Sequence, residues 1–242
     1  MTVVHDTHTQ SSTWINSPNP FTFNHTPTGT INGVPDGVVV LITANEDGGA
    51  NVVTGVSYGG VEMSLVADGF AGEIDEDAGS AYIYFLGNGI PSGTQSVSIG
   101  CALSSGTKVA WCCDVVANIK TMEYASVALD GNTVNPQITL DSKNHHTLRY
   151  FVINSGLPNT SDLALVSGMV AVGSVDHGDR VSRCDRESSA HTGSVVVGYT
   201  ASSDDVAMVG VAIRELPYPY NANQLSAFKA SGEPIIRLHG AG

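Results

Sequence analysis

Short runs of β-branched and aromatic residues, separated by Gly, Asn, Asp and Ser, follow one another through most of this chain. Runs of this kind between turn residues predict β-strands, and about a dozen of them favour an antiparallel sandwich or barrel. The predicted strands are Val38–Thr43, Val52–Tyr58, Val61–Val66, Ala81–Leu86, Gln95–Ile99, Lys108–Ala117, Ala125–Leu129, Gln137–Leu140, Thr147–Ile153, Leu165–Val172, Arg180–Cys184, Gly193–Thr200 and Val206–Arg214. The sequence predicts an all-β fold, and it leaves open one sandwich or two in tandem.

Two local patterns add detail to these strands. Gly59-Gly60 stands between two apolar runs and predicts a two-residue hairpin turn. The long apolar run Lys108–Ala117 predicts a central strand, because a strand covered on both faces has no need of alternating polar residues.

The two ends of the chain differ from its middle. Residues 1–36 are rich in Thr, Asn, Pro and Gly, and residues 215–242 are irregular with repeated Pro, so we predict extended arms around a β-sandwich domain at residues 37–214. Apolar side chains in such arms need a surface to lie on, either the chain's own sandwich or a neighbour. We predict that these arm residues bind partners: Trp14, Ile15, Phe21, Phe23, Tyr218, Tyr220, Ile235 and Ile236.

The charge balance disfavours some partners. The chain has 10 Lys and Arg against 23 Asp and Glu, a formal net charge of −13, and no basic side chain of this kind precedes Lys108. Such a field repels phosphate groups, so we predict binding neither to nucleic acid nor to a membrane. We also expect no membrane span and no signal peptide, since the sequence shows neither a long apolar run nor a basic leader.

Cysteine usage predicts no cofactor. Cys101, Cys112, Cys113 and Cys184 form neither a CxxC pair nor a zinc-binding spacing with His. We therefore expect buried free thiols in a protein that assembles in a reducing cytoplasm.

An acidic loop is a weak candidate for a metal site. Glu73, Asp75 and Asp77 supply carboxylate oxygens of the kind that calcium prefers. The full calcium-loop pattern is incomplete, however, because Tyr84 stands where the closing Glu is needed. We predict no metal and interpret the segment as a solvated loop or a patch for a basic partner.

Two histidine segments resemble parts of catalytic sites. His145-His146 cannot easily chelate one metal from a strand, because adjacent strand residues point apart. Asp176-His177-Gly178-Asp179 places a His beside carboxylates, as a general base requires, but no recognisable nucleophile motif accompanies it. We interpret it as a polar hairpin turn and predict that the chain is not an enzyme.

Three arginines lie close together in the second half. On a strand, Arg180 and Arg186 would share one face while Arg183 takes the other. They can pair with the chain's own acids, or they can meet the acidic first half of a neighbouring copy and so orient assembly.

Two stretches resemble a sandwich module of bacteriophage structural proteins. Residues 53–63 read VTGVSYGGVEM and residues 80–99 read SAYIYFLGNGIPSGTQSVSI. The apolar run Val206–Arg214 resembles the final strand of that module. The resemblance covers about residues 37–214 and implies a jelly-roll or lectin-like sandwich in virion components such as capsid decoration, tail or fibre proteins. The motif marks strands and turns and carries no catalytic residues.

The leading expectation is a phage capsid decoration (cement) protein on the outer capsid surface, assembled in the host cytoplasm. Its expected partners are the major capsid protein and other copies of itself, as a dimer or trimer. The alternative is a tail, fibre or lectin-like module that binds glycans through Tyr58, Tyr82, Tyr84 and the loop at residues 73–77. A glycan hydrolase on a lectin-like sandwich is the third hypothesis, but it lacks a convincing carboxylate pair.

Overall fold

The computed structural model describes residues 4–11, 19–27, 37–46, 52–74, 77–87, 90–102, 108–117, 121–123, 132–141, 147–176, 181–190 and 192–214. These residues form antiparallel sheets that pack on one another, which confirms the predicted all-β sandwich fold. A short 3-10 helix lies at Thr160–Asp162, and no helix in the described part of the chain is long and apolar enough to cross a membrane.

The first half of the chain forms two sheets. The first inner sheet has the strand order β1-β9-β3-β7-β6, and the first outer sheet has the order β2-β8-β4-β5. The strands are β1 (Val4–Gln10), β2 (Phe21–His25), β3 (Gly37–Glu46), β4 (Val53–Tyr58), β5 (Val61–Glu62), β6 (Ser64–Ile74), β7 (Asp77–Leu86), β8 (Gln95–Cys101) and β9 (Lys108–Ala117).

The second half forms two further sheets. The second inner sheet has the order β10-β18-β13-β16-β15, with β11 also paired to β18, and the second outer sheet has the order β12-β17-β14. The strands are β10 (Thr121–Glu123), β11 (Asn132–Thr133), β12 (Gln137–Asp141), β13 (Thr147–Ser155), β14 (Ala164–Leu165), β15 (Met169–Asp176), β16 (Val181–Glu187), β17 (Ser194–Thr200) and β18 (Asp204–Arg214).

The four sheets stack in layers, with three apolar interfaces between them. In β3, Val38 and Val40 pack toward the first outer sheet, while Val39 and Leu41 pack toward the second inner sheet. The central strands β3 and β13 are therefore covered on both faces, which explains why their described residues are all buried. The third interface lies between the second inner and second outer sheets.

The two halves repeat one strand order. The inner sheets match as β1/β10, β9/β18, β3/β13, β7/β16 and β6/β15, and the outer sheets match as β2/β12, β8/β17 and β4/β14. The inner sheets pack in opposite order, with β3 against β13 at the centre, β18 on β6 and β7, and β15 on β9 and β1. This is the arrangement of two units about an approximate two-fold axis. The chain thus holds two sandwiches joined through their inner sheets.

Part of the predicted N-terminal arm belongs to the sandwich. β1 pairs with β9 at the edge of the first inner sheet, and β2 pairs with β8 at the edge of the first outer sheet. Thr9 Oγ1 lies 2.8 Å from His25 Nδ1, which ties the two edge strands together. The predicted boundary at residue 37 therefore falls too late, because the two sheets each use a strand from the first 36 residues to cover an edge.

The strand predictions meet different outcomes. The turn at Gly59-Gly60 is confirmed, with φ of 57° and 81° and Tyr58 paired to Val61. The predicted strand Val61–Val66 is wrong, because β5 ends at Glu62 in the outer sheet and β6 begins at Ser64 in the inner sheet. The predicted strand Leu165–Val172 is wrong, because Gly168 turns the chain with a φ of 87° and separates β14 in the outer sheet from β15 in the inner sheet. The predicted strand Ala125–Leu129 lies outside the described residues.

β9 confirms the prediction of a central strand. It pairs with β3 over nearly its full length on one side and with β1 from Cys112 to Ala117 on the other.

Candidate functional site

The buried Arg, Asp and Glu side chains of the described residues gather in the second sandwich. Arg149, Asp185 and Glu187 are 0% exposed and Arg183 is 8% exposed. They project from β13 and β16 into the interface between the second inner and second outer sheets, beside the apolar cluster that contains Phe151. Buried charges are costly unless they are paired and hydrogen-bonded, so their partners define what this cluster can do.

Arg149 and Glu187 form a buried ion pair. Arg149 Nη1 donates to Glu187 Oε1 at 3.0 Å and to Oε2 at 2.8 Å, and the Arg149 backbone N–H donates to Oε2 at 3.0 Å. The remaining guanidinium donors reach backbone carbonyls, Nε to Leu140 O at 3.0 Å and Nη2 to Gly193 O at 2.5 Å. The guanidinium is thus held by the opposite sheet as well as by its own.

A second cluster joins Arg183, Asp185 and Tyr199. Tyr199 donates its hydroxyl to Asp185 Oδ2 at 2.5 Å, and Val172 N–H donates to Oδ1 at 3.1 Å. Arg183 Nε lies 3.1 Å from Asp185 Oδ2, Arg183 Nη1 donates to Leu163 O at 2.7 Å, and the Arg183 guanidinium carbon lies 5.1 Å from the centre of the Tyr199 ring.

Burial sets the protonation behaviour of this second cluster. Burial raises the pKa of Asp185, although Arg183 and the hydrogen bonds from Tyr199 and Val172 oppose the shift. Burial and the nearby Asp185 raise the pKa of Tyr199 well above its ordinary value, so the phenol remains a neutral donor. The arrangement suits the holding of two sheets together, because its charged atoms face each other and not the solvent.

One feature of the sequence indicates a buried charged cluster, namely a basic residue within an apolar strand. Arg149 interrupts β13, in which every residue is buried, and a charge within such a run predicts a buried partner. Its partner Glu187 lies 38 residues away on β16, so only the strand pairing identifies it.

The arginines predicted as assembly charges are used within the chain. Arg183 and Arg186 lie on opposite faces of β16, as the alternation predicted. Arg186 Nη1 donates to Glu187 O at 2.8 Å, and its Nη2 lies 3.2 Å from His5 Nδ1 on β1. Arg183 thus lies beside one of the chain's own acids, Asp185, whereas the printed contacts of Arg186 are a backbone carbonyl and a histidine. Arg180 lies outside the described residues.

The predicted arm residues fall into two groups, those that the structure describes and those that lie outside the described residues. Phe21 is 2% exposed and belongs to the chain's own core, while Phe23 is partly buried and packs against that core. The other arm residues lie outside the described part of the chain: Trp14, Ile15, Tyr218, Tyr220, Ile235 and Ile236.

The tyrosines named for a glycan site are buried. Tyr58, Tyr82 and Tyr84 are 0%, 1% and 4% exposed within the first sandwich, so none of them can stack on a sugar. Burial raises the pKa of Tyr84 to about 12. Tyr82 OH accepts a hydrogen bond from Val52 N–H at 3.1 Å across that interface.

The acidic segment lies at the hairpin between β6 and β7. Ile74 pairs with Asp77, and Asp75 lies outside the described residues, as do the side chains of Glu73 and Asp77. Within the described ranges, no three His, Cys, Asp or Glu side chains come together as metal ligands.

Asp176 has a structural partner. Its carboxylate accepts hydrogen bonds from Thr160 N at 2.7 Å and from Thr160 Oγ1 at 3.3 Å, and it pairs with Val181 across the β15-β16 hairpin. The pairing shows that the predicted turn segment joins two antiparallel strands, while residues 177–180 themselves lie outside the described part of the chain. His177, Asp179 and the pair His145-His146 lie outside the described residues.

Two cysteines confirm the expectation of buried free thiols. Cys101 lies in the first sandwich and Cys184 lies between the two inner sheets. Burial raises the pKa of the Cys184 thiol above its ordinary range, so the thiolate is disfavoured. Cys112 and Cys113 are adjacent on β9, and their side chains lie outside the described part.

Most of the described solvent-facing side chains of the two outer sheets are short and uncharged. On the first outer sheet, Thr22 pairs with Ser98 and Ser98 with Ser57, which forms a row of hydroxyls across three strands, with Glu62 at the edge. The second outer sheet exposes a similar set of side chains, Gln137, Thr139, Ser194, Val196 and Thr200. With stacked sheets about 10 Å apart, these faces lie roughly 30 Å from each other.

Comparison with protein-family models, with curated proteins and with solved structures finds no match to this chain.

Proposed function

We propose that this protein is a non-enzymatic structural component of a virion, a phage capsid decoration protein that binds the outer capsid surface and stabilises the shell. In this proposal each sandwich is a variant of the jelly roll. The observation that carries it is the pair of outer faces on opposite ends of one four-layer stack, whose described solvent-facing side chains are mostly hydroxyl and amide groups.

The charge distribution supports a docking role for these faces. The chain has a formal net charge of −13, yet its outer sheets present rows of short hydroxyl and amide side chains. Faces with few charges can approach a large protein surface while desolvating few ions, and the desolvation of ions is a main electrostatic cost of an interface.

The phage-like motifs support the same assignment. Residues 53–63 form β4, the Gly59-Gly60 turn and β5, and residues 80–99 contain most of β7 and the first residues of β8. The resemblance thus rests on neighbouring strands and turns of the first sandwich and suits a protein that works by shape and surface.

The expected partners are the major capsid protein and other copies of this chain. The predicted arm at residues 215–242 follows β18 directly, so it can be removed without cutting a described strand. The predicted arm at residues 1–36 cannot be tested in that way, because it contains β1 and β2.

The test is co-sedimentation with phage particles produced from the genome that encodes the chain. We expect the full chain to sediment with the particles, and a truncation after Arg214, or Ser98→Arg on the first outer face, to reduce the bound amount at least tenfold. Ser174→Arg, at an exposed position of β15, is the matched control and should bind as the unmodified chain does.

Immunogold electron microscopy decides the location. Labelling spread over the capsid supports the decoration role, while labelling confined to the tail supports the tail or fibre alternative and rejects decoration. A glycan array read with and without calcium tests the lectin-like alternative, for which the buried Tyr58, Tyr82 and Tyr84 offer no support.

A further inference from the structure

The two sandwiches can be matched residue by residue through a shared irregularity. β6 is bulged against β7 between Leu65, opposite Tyr84, and Ala67, opposite Ile83. β15 is bulged against β16 between Ala171, opposite Asp185, and Gly173, opposite Cys184. Since bulges occupy defined places in a fold, Tyr84 corresponds to Asp185 and Ile83 to Cys184. Ile83 and Cys184 both lie in the interface between the inner sheets, as this match requires.

The strand registers extend the match to the buried charges. Val40 lies opposite Tyr84 and Phe151 lies opposite Asp185, so Val40 corresponds to Phe151. Counting along the strands then gives the full set of four pairs: Val38 with Arg149, Tyr82 with Arg183, Tyr84 with Asp185 and Leu86 with Glu187. Positions that hold ion pairs in the second sandwich hold apolar or aromatic residues in the first.

The first sandwich therefore shows that this fold does not need charges at these positions. Val38, Tyr82, Tyr84 and Leu86 are all buried in its core. Replacing a buried ion pair by apolar residues of similar volume is often neutral or stabilising, so stability alone does not account for the four charges.

The charges do recognise the second outer sheet. Arg149 donates to Leu140 O on β12 and to Gly193 O just before β17, and Asp185 accepts from Tyr199 on β17. The first outer sheet presents mostly apolar side chains such as Phe21, Val97 and Ile99 to its own inner sheet, together with His25 and Tyr58. Docked on that surface, Asp185 would lose the Tyr199 hydroxyl, and Arg149 would lose the two carbonyls placed for it by Leu140 and Gly193.

We propose that the four buried charges determine which outer sheet the second inner sheet packs on, so that it packs on the second outer sheet and not on the first. The duplicated strand order places two inner and two outer sheets of the same plan in one chain, so exchange within a chain or between copies is geometrically available. Proteins with repeated patterns keep one structure by carrying groups that make the alternative pairings unfavourable.

The test uses the full chain with all four charges replaced by apolar residues of similar volume, Arg149→Met, Arg183→Met, Asp185→Leu and Glu187→Leu. Each protein is unfolded in urea with a reductant, refolded at rising concentration, and examined by light scattering after gel filtration and by NMR. We expect the unmodified chain to recover its original mass and spectrum. The share of misassembled species in the variant should rise by about tenfold, which corresponds to about 1.4 kcal/mol of lost discrimination, and grow with concentration.

The matched control is Val38→Leu with Leu86→Val in the first sandwich, which conserves apolar volume and should refold as the unmodified chain does. If the variant with all four substitutions does not refold, the double variant Arg149→Met with Glu187→Leu is measured in the same way. A variant that refolds to one species with the original spectrum overturns the proposal. A variant that loses stability without forming misassembled species also overturns it, because the charges would then act through stability alone.

Discussion

Tyr199 donates its hydroxyl to Asp185 Oδ2 at 2.5 Å from the opposite sheet, and both side chains are fully buried. The contact joins the second inner sheet to the second outer sheet at a point where, apart from Arg183, the surrounding residues are mostly apolar. Because water cannot replace a lost partner there, removal of the Tyr199 hydroxyl or of the Asp185 carboxylate should measurably lower the free energy of unfolding.

The hydroxyl of Tyr199 can be removed with little change in volume. Tyr199→Phe should lower the free energy of unfolding by about 1.5–3 kcal/mol, the usual range for a hydrogen bond to a charged group. Urea denaturation gives the value, and a double-mutant cycle with Asp185→Asn isolates the pair. Additive effects of the two substitutions would show that the hydroxyl does not interact with this carboxylate.

Glu187 compensates the charge of a buried arginine. Glu187→Ala should destabilise the protein by about 3–5 kcal/mol, because Arg149 would be left buried without a counter-ion. Glu62→Ala, at an exposed position on β5, is the matched control and should change stability by roughly 0.5 kcal/mol or less. A loss for Glu187→Ala as small as that of the control would contradict the buried pair.

Asp185 predicts a specific dependence of stability on pH. Its pKa is raised by burial in the folded protein, so the folded state holds this proton more tightly than the unfolded state. Its contribution is fully present below the unfolded pKa and is lost as the pH rises through the folded pKa. Asp185→Asn should remove this part of the pH dependence, measured as the free energy of unfolding from acidic to neutral pH. A variant with an unchanged profile would assign the dependence to other groups.

The shared interface predicts that the two sandwiches unfold together. Cys101 reports on the first sandwich and Cys184 on the contact between the inner sheets. Pulsed thiol labelling along a urea series, read peptide by peptide in a mass spectrometer, should give both thiols one midpoint. Two separate midpoints would show that the halves unfold independently.

A cavity in that interface tests the same coupling. Leu41 is buried between the inner sheets, and Leu41→Ala should destabilise by about 2–5 kcal/mol through lost burial and the cavity left behind. Both thiol midpoints should move to lower urea by the same amount. A shift at Cys184 alone would limit the effect to one half.

Strands with strong apolar patterns could be predicted from the sequence, whereas weakly patterned ones could not. The run from Val38 to Thr43 lies within β3, and the hairpin at Gly59-Gly60 forms as its turn residues indicate. β1, with the sequence VHDTHTQ, has no apolar alternation because it is an edge strand whose pairing comes from β9. Leu165–Val172 reads as one strand, since the turn at Gly168 directs its two parts to different sheets.

For the candidate site too, the sequence predicts which face of a strand a side chain takes, but not its partner. Alternation along β16 placed Arg183 and Arg186 on opposite faces, but their partners, Asp185 and His5, depend on burial and on packing between sheets. Phe21 carries no sign in the sequence that it belongs to its own core, because its burial is created by the pairing of β2 with β8.

The sequence by itself determined the all-β class, the turns and the faces of the strongest strands, because these follow from local backbone preferences and from the period of two. The tertiary structure decided that there are two sandwiches, which edges β1 and β2 cover, and that Arg149 meets Glu187. Those choices depend on contacts between residues far apart in the chain, where the free energy of burial and pairing is set by the opposing sheet and not by sequence neighbours.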